Sequence, residues 1–273
     1  MSQLNRAFEL LQPVPDRGDR PILVFFPGMD GRGTLLQAQI EKGLDRAFDL
    51  RCLSLPPNER DSWFEMTERA IAALKIAKGD RRRPLYLCAE SFGGCLALNV
   101  LLAAGDLVDR AVLINPASAF DRRSWIQWGS HLSGWIPAPL YPLSAIALLP
   151  FLASLGRLSR PESQALLAAM QSLPQETSSW RIGLLRDFAI APEQLRQIQV
   201  PVAIVASGAD RLLASIAESE RLLTHLGNAR RVILPESGHA CLLETEVNLY
   251  QLLGDLDFLP PAAIALTPGC DRH

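Results

Sequence analysis

Cys88-Ala89-Glu90-Ser91-Phe92-Gly93-Gly94 marks the point where a short apolar run, Pro84 to Cys88, passes without a loop into a helical pattern, Phe92 to Ala104. A serine on so sharp a strand-to-helix turn is held in strained backbone geometry. The residues two before and two after it must be small for strand and helix to close around it. Gly93 meets that demand, and Ala89 adds one methyl where glycine is commoner. The turn also sets Ser91 at a helix N-terminus, where free N–H groups and the helix dipole favour developing negative charge, so the Phe92 N–H is expected to be one donor to an oxyanion. A lone A-x-S-x-G match arises by chance in many proteins, and its weight depends on what surrounds it.

Outward from this turn, short apolar β-type runs alternate with helical stretches, which predicts a mostly parallel sheet with helices on both faces. Strands are expected over Pro21 to Phe26, Phe48 to Leu55, Pro84 to Cys88, Val108 to Ile114, Val202 to Ala206 and Arg231 to Leu234. Ala70, Ile71, Leu74 and Ala77 recur at helical spacing and predict a helix from about Trp63 to Lys78, and another is expected over Ser215 to Leu226.

A serine hydroxyl is a poor nucleophile at neutral pH and needs a base, with an acid to hold that base in the right tautomer. Ser207-Gly208-Ala209-Asp210-Arg211 follows one predicted strand directly, and Glu236-Ser237-Gly238-His239 follows the next. Both loops lie at strand C-terminal ends, the edge where open α/β sheets place their sites. Of the four histidines, His273 is terminal, His225 ends a helix and His131 falls in a different region, which leaves His239 as the base. Asp210 is the preferred acid. Asp121 is the alternative, because Asn115 occupies the end of the fourth strand. The order Ser91, Asp210, His239 is that of the α/β-hydrolase fold, in which a second oxyanion donor comes from the loop after an earlier strand. Here that loop is Phe26-Pro27-Gly28-Met29, with the Met29 N–H as the expected donor. Asp30 and Glu90 border the site. Cys88, Cys95 and Cys241 lie near it in sequence but not at the apex of the turn, and read as small buried fillers.

The strand–helix rhythm stops between Asp121 and about Gln199, which predicts residues 1–120 and 200–260 as the hydrolase core, 121–199 as an inserted helical cap and 261–273 as a tail. From Ser124 to Gly156 there is no Asp, Glu, Lys or Arg. A membrane-spanning helix needs about 20 consecutive apolar residues, and Pro137, Pro139, Pro142 and Pro150 cut this run, so an apolar lid is expected instead. Its residues either pack the cap onto the body or form an acyl-chain or isoprenoid pocket, with Trp125, Trp128, His131 and Trp135 touching substrate. The lid is also the surface expected to make any peripheral contact with a bilayer.

The 273 residues carry a formal net charge of -2 and a 48% hydrophobic fraction, enough for a sizeable core and without the basic field a nucleic acid partner requires. Five cysteines, odd in number and without paired or zinc-ligand spacing, imply a reducing compartment and no metal. Met1 to Leu11 lacks the basic and apolar segments of a secretory signal, so a cytoplasmic location is expected. No cofactor is implied, and oligomeric state is not encoded in any motif.

Four segments, 26–33, 90–98, 115–120 and 207–213, resemble the hydrolase-like part of the phytyl ester synthase and diacylglycerol acyltransferase-like family of plants and cyanobacteria. The more particular matches are Pro27-Gly28-Met29-Asp30-Gly31 and Asn115-Pro116-Ala117-Ser118-Ala119-Phe120. The resemblance implies acyl transfer from lipid-like esters or thioesters to phytol or a similar alcohol, or hydrolysis of such esters. Plant members carry a further acyltransferase-like domain with a His-x4-Asp motif. Here Glu244 stands at that spacing from His239, so the resemblance does not extend to the motif associated with transfer to diacylglycerol. The competing expectations are a small-molecule carboxylesterase and a non-catalytic hydrolase-fold binding module.

Overall fold

A computed structural model describes residues 8–18, 20–79, 83–120 and 141–260. Seven strands form one sheet in the order β1-β3-β2-β4-β5-β6-β7: β1 Glu9–Leu11, β2 Ile22–Phe26, β3 Asp49–Ser54, β4 Leu85–Glu90, β5 Arg110–Ile114, β6 Val202–Ser207 and β7 Ala229–Leu234. Every pairing is parallel except that of β1 with β3.

The apolar runs follow from burial on both faces. In β2, Ile22, Val24 and Phe26 join one core cluster while Leu23 and Phe25 join the other; β4, β5 and β6 divide in the same way, so these strands lack the polar alternation of a half-solvated sheet. Helices α2 (Trp63–Lys78) and α3 (Phe92–Ala104) cover the first face, and α1 (Gln37–Glu41) and α9 (Leu249–Asp255) flank the second. Helix α2 begins where predicted because Ser62 caps it: the Ser62 hydroxyl accepts from the Glu65 N–H while the Glu65 carboxylate accepts from the Ser62 N–H. Helix α3 is apolar almost all round and accordingly buried.

Between β5 and β6 the described chain is helical: α4 Tyr141–Leu152, α5 Arg160–Gln171, α6 Gln175–Asp187 and α7 Pro192–Leu195. Helix α8 (Ser215–His225) joins β6 to β7. Pro142 lies in the first turn of α4 and Pro150 in its last, so these two prolines bound one helix. No helix among the described residues is long and apolar enough to cross a membrane. Trp125, Trp128, His131 and Trp135 lie outside the described residues, as do Asp121 and His273.

The site follows from the strand order. Chain direction across the sheet reverses between β2, which leads outward to β3, and β4, which leads the other way to β5. A crevice opens at such a switch point beyond the strand C-termini, and the loop after β2 and the turn after β4 are its two walls.

Candidate active site

Ser91 has φ 51 and ψ -113, a backbone conformation that costs a non-glycine residue about 1–3 kcal/mol. Hydrogen bonds hold it there: its N–H donates to the Ile114 carbonyl at 3.0 Å, and its carbonyl accepts from the N–H groups of Gly94 at 2.9 Å and Ala117 at 3.0 Å. The small residue two positions on is obligatory, since a Cβ at Gly93 would stand 2.3 Å from the Phe26 carbonyl oxygen. Ala89 is fully buried within the apolar layer beneath α3, and its methyl is accommodated there.

Three side chains from three strand ends meet above this turn. The Ser91 Oγ lies 2.8 Å from His239 Nε2, and His239 Nδ1 lies 2.8 Å from Asp210 Oδ2. With the proton on Nδ1 directed at the carboxylate, Nε2 is free to accept from the serine hydroxyl. Asp210 also accepts from the N–H groups of Leu212 at 2.8 Å and Leu213 at 2.9 Å, and from the Ser215 hydroxyl. His239 and Asp210 are buried, whereas Ser91 keeps partial exposure.

Asp210, His239 and Glu90 shift one another's charge states. Burial pushes the Asp210 carboxyl up, but the His239 charge and the hydrogen bonds from His239, Ser215 and Leu213 outweigh it, so its pKa falls below 3.8. For His239, burial pulls down, and the charge and hydrogen bond of Asp210, with the charge of Glu90, overcome that pull and raise it above 6.5. Burial raises Glu90 to about 7, opposed by His239 and assisted by Asp30. Burial likewise pushes the Cys88, Cys95 and Cys241 thiols up, which leaves them protonated and inert.

Two supports were invisible in the sequence. Asn115, at φ 42, directly follows β5 and spans the neighbouring loops: its Oδ1 accepts from the Ser207 N–H at 2.8 Å, and its Nδ2 donates to the Ser207 hydroxyl at 2.8 Å and the His239 carbonyl at 2.7 Å. Glu244 is fully buried and accepts from the Gly238 N–H at 2.7 Å, the Ser237 hydroxyl at 2.8 Å and Arg157 Nε at 2.8 Å. An asparagine before proline at a strand end signals a turn; nothing local marks Glu244.

Phe92 is the first residue of α3, where helix geometry leaves the N–H without an intrahelical acceptor. The loop holding Met29 runs alongside: a Cβ built at Gly28 would lie 3.8 Å from the Ser91 Cβ. His225, on α8, is half-buried and lies 3.5 Å from Arg196, apart from this cluster.

The chain matches the family described as serine aminopeptidase, S33, over residues 59–246. It is 32% identical to phytyl ester synthase 1, chloroplastic, of Arabidopsis thaliana, in an alignment covering 93% of this chain and 41% of that protein. It thus spans about two-fifths of that relative's length. A pimeloyl-[acyl-carrier protein] methyl ester esterase of Nitrosomonas europaea is 23% identical over 84% of this chain and 93% of its own. Among solved structures, MenH from S. aureus superposes with a TM-score of 0.73 at 16% identity, covering 92% of this chain and 98% of that one. Sheet order, the strained serine turn and the family match agree: the chain has the α/β-hydrolase fold and belongs to the serine aminopeptidase, S33 family of hydrolases.

Proposed function

We propose that the chain is a serine-nucleophile esterase or acyltransferase that acts through an acyl-enzyme on a lipid-like ester or thioester, with a long alcohol such as phytol as acceptor alongside water. The observation that carries this reading is the unbroken hydrogen-bonded chain from Ser91 through His239 to Asp210, 2.8 Å at each link.

In this reading Ser91 Oγ attacks the acyl carbonyl while His239 Nε2 takes the hydroxyl proton, and Asp210 stabilises the resulting imidazolium. The Phe92 and Met29 N–H groups receive the oxyanion. Collapse of the tetrahedral species breaks the bond to the leaving alcohol or thiol, which departs with the proton from His239. Water or an acceptor alcohol then gives its proton to His239 and attacks the acyl-enzyme, releasing acid or new ester and restoring Ser91.

Residues 1–120 and 200–260 act as the catalytic body and 121–199 as a cap that receives the acyl chain through Trp125, Trp128, His131 and Trp135. Two observations support a lipid-like substrate. The relative of 32% identity is named a phytyl ester synthase, and α4 carries no charged residue and presents Ile146, Leu148 and Phe151 at the surface. In this reading the same apolar surface makes a peripheral membrane contact. The esterase of N. europaea favours the hydrolytic alternative, since this chain covers nearly all of it.

Hydrolysis of p-nitrophenyl acetate and p-nitrophenyl palmitate, with and without phytol, separates the outcomes. The proposal predicts faster turnover of palmitate and formation of phytyl palmitate when phytol is present. Preference for acetate with no phytyl ester would make the chain a small-molecule carboxylesterase.

A further inference from the structure

Arg181 lies on α6, among the helices between β5 and β6, yet it is 1% exposed. Burying a guanidinium costs several kcal/mol unless its donors are satisfied, so its partners indicate what it is for. Nη1 donates to the Met29 carbonyl, and Nη2 donates to the Pro56 carbonyl at 3.2 Å. The guanidinium carbon stands 5.8 Å from the centre of the Phe92 ring. Burial lowers its pKa to about 10, against the opposing charges of Asp30 and Glu59, so it remains a cation at neutral pH.

The loop it grips is otherwise a closed turn. The Gly31 N–H donates to the Gly28 carbonyl at 3.1 Å, and the Arg32 and Gly33 N–H groups donate to the Asp30 carboxylate at 3.1 and 3.2 Å. In a trans peptide the N–H points opposite the C=O. With the Gly28 carbonyl turned inward to Gly31, the Met29 N–H of the same peptide therefore faces away from the turn. Gly31, at φ 71, is the residue that lets the guanidinium in: a Cβ there would sit 2.7 Å from Arg181 Nη1. A second link joins α6 to the same place, since the Trp63 indole N–H donates to the Leu184 carbonyl at 2.9 Å while its ring stacks on Phe92 with centroids 4.9 Å apart.

We propose that Arg181 is a positioning residue for the reaction: by holding the carbonyl of Met29 and packing over Phe92, it fixes the two backbone donors of the oxyanion hole from the helices outside the sheet. This inference rests on the reading that Ser91 is acylated and that the Met29 and Phe92 amides receive the oxyanion. Its consequence is that the hole is complete only while α6 is seated.

The test compares wild type with Arg181→Met, which keeps volume and removes both hydrogen bonds and charge, and Arg181→Lys, which keeps the charge and reaches one carbonyl. Steady-state hydrolysis of p-nitrophenyl palmitate and the rate of fluorophosphonate labelling are measured alongside circular dichroism. Losing one oxyanion donor costs about 10²–10³-fold in kcat. Arg181→Met is therefore expected to lose about 10²-fold in kcat and in labelling rate, with KM changed by less than about threefold, and Arg181→Lys to recover part of both. Wild-type kcat in a folded Arg181→Met protein, or a loss carried by KM alone, overturns the positioning role and leaves the triad untouched. If both variants fail to fold, Arg181 is a packing residue and the inference falls. An unlabelled wild type would instead remove the reading beneath it.

Discussion

At the C-terminal edge of the sheet, Asn115, Ser207, Ser215, Ser237 and Glu244 hold Asp210 and His239 in place through buried hydrogen bonds. The helices between β5 and β6 are held differently. Helix α4 leaves Ile146 49% and Phe151 40% exposed and ties to the histidine loop through the Ala240 N–H to the Leu152 carbonyl at 2.7 Å, while Arg181 carries the polar contact of α6 with the site loop. A buried polar network fixes geometry because each unmatched group is costly. An apolar surface tolerates sliding and substitution. The contrast teaches where precision is built in: around Ser91, His239 and Asp210, with Arg157 on Glu244 and Arg181 on the Met29 carbonyl as polar points where the outer segment joins it.

Asp210→Asn breaks the precise side hardest. It removes the charge that holds the His239 tautomer, and a loss on the order of 10⁴-fold in kcat is expected with little change in KM; kinetics on p-nitrophenyl palmitate measures it, and a loss under tenfold would mean another group serves as the acid.

Next in size is the response to a single methyl in each region. Gly93→Ala would place its Cβ 2.3 Å from the Phe26 carbonyl oxygen, whereas nothing lies within 4 Å of a Cβ at Gly156, between α4 and α5. Thermal unfolding should find Gly93→Ala destabilised by about 1–3 kcal/mol or more and Gly156→Ala within about 0.5 kcal/mol of wild type. Equal effects would dissolve the contrast.

The pH dependence sharpens it further. His239 must be neutral to accept the Ser91 proton, and its pKa is raised above 6.5, so the acid limb of kcat/KM is expected above the ordinary histidine range. The Glu90 charge contributes to that rise, so Glu90→Gln should move the limb to lower pH. Stability carries the matching sign. Folding lifts Glu90 from 4.5 to about 7, so burying its charge costs nothing below pH 4.5, more as pH rises, and its full amount above 7. Glu90→Gln should therefore gain stability over wild type at pH 8 and not at pH 4.5. A gain at both, or at neither, would contradict the assignment.

The smallest effect belongs to the outer surface. Arg60 and Glu176 form an ion pair in which both side chains are more than half exposed, and Glu176→Gln is expected to change stability by less than about 1 kcal/mol in chemical denaturation.

The reactive edge was largely legible in the sequence because its signals are local. Strands β2 and β4 to β6, buried on both faces, read as apolar runs, α2 announces itself by its periodicity, and Ser91, Asp210 and His239 each follow a strand directly. β1, three residues at an exposed antiparallel edge, carries no such signal, and α9 is too short for a periodic one. Asn115 and Arg181 were illegible as supports for a different reason. The partners of Asn115 lie 92 and 124 residues away, and those of Arg181 lie 152 and 125. An arginine on an amphipathic helix reads as a solvated face until the fold buries it.

The central claim is that the strained serine is the nucleophile, and fluorophosphonate labelling followed by peptide mass mapping tests it directly. A single adduct on Ser91, absent from a folded Ser91→Ala protein, is the predicted result. A folded wild type that takes up no label, or an adduct on any other residue, would contradict it.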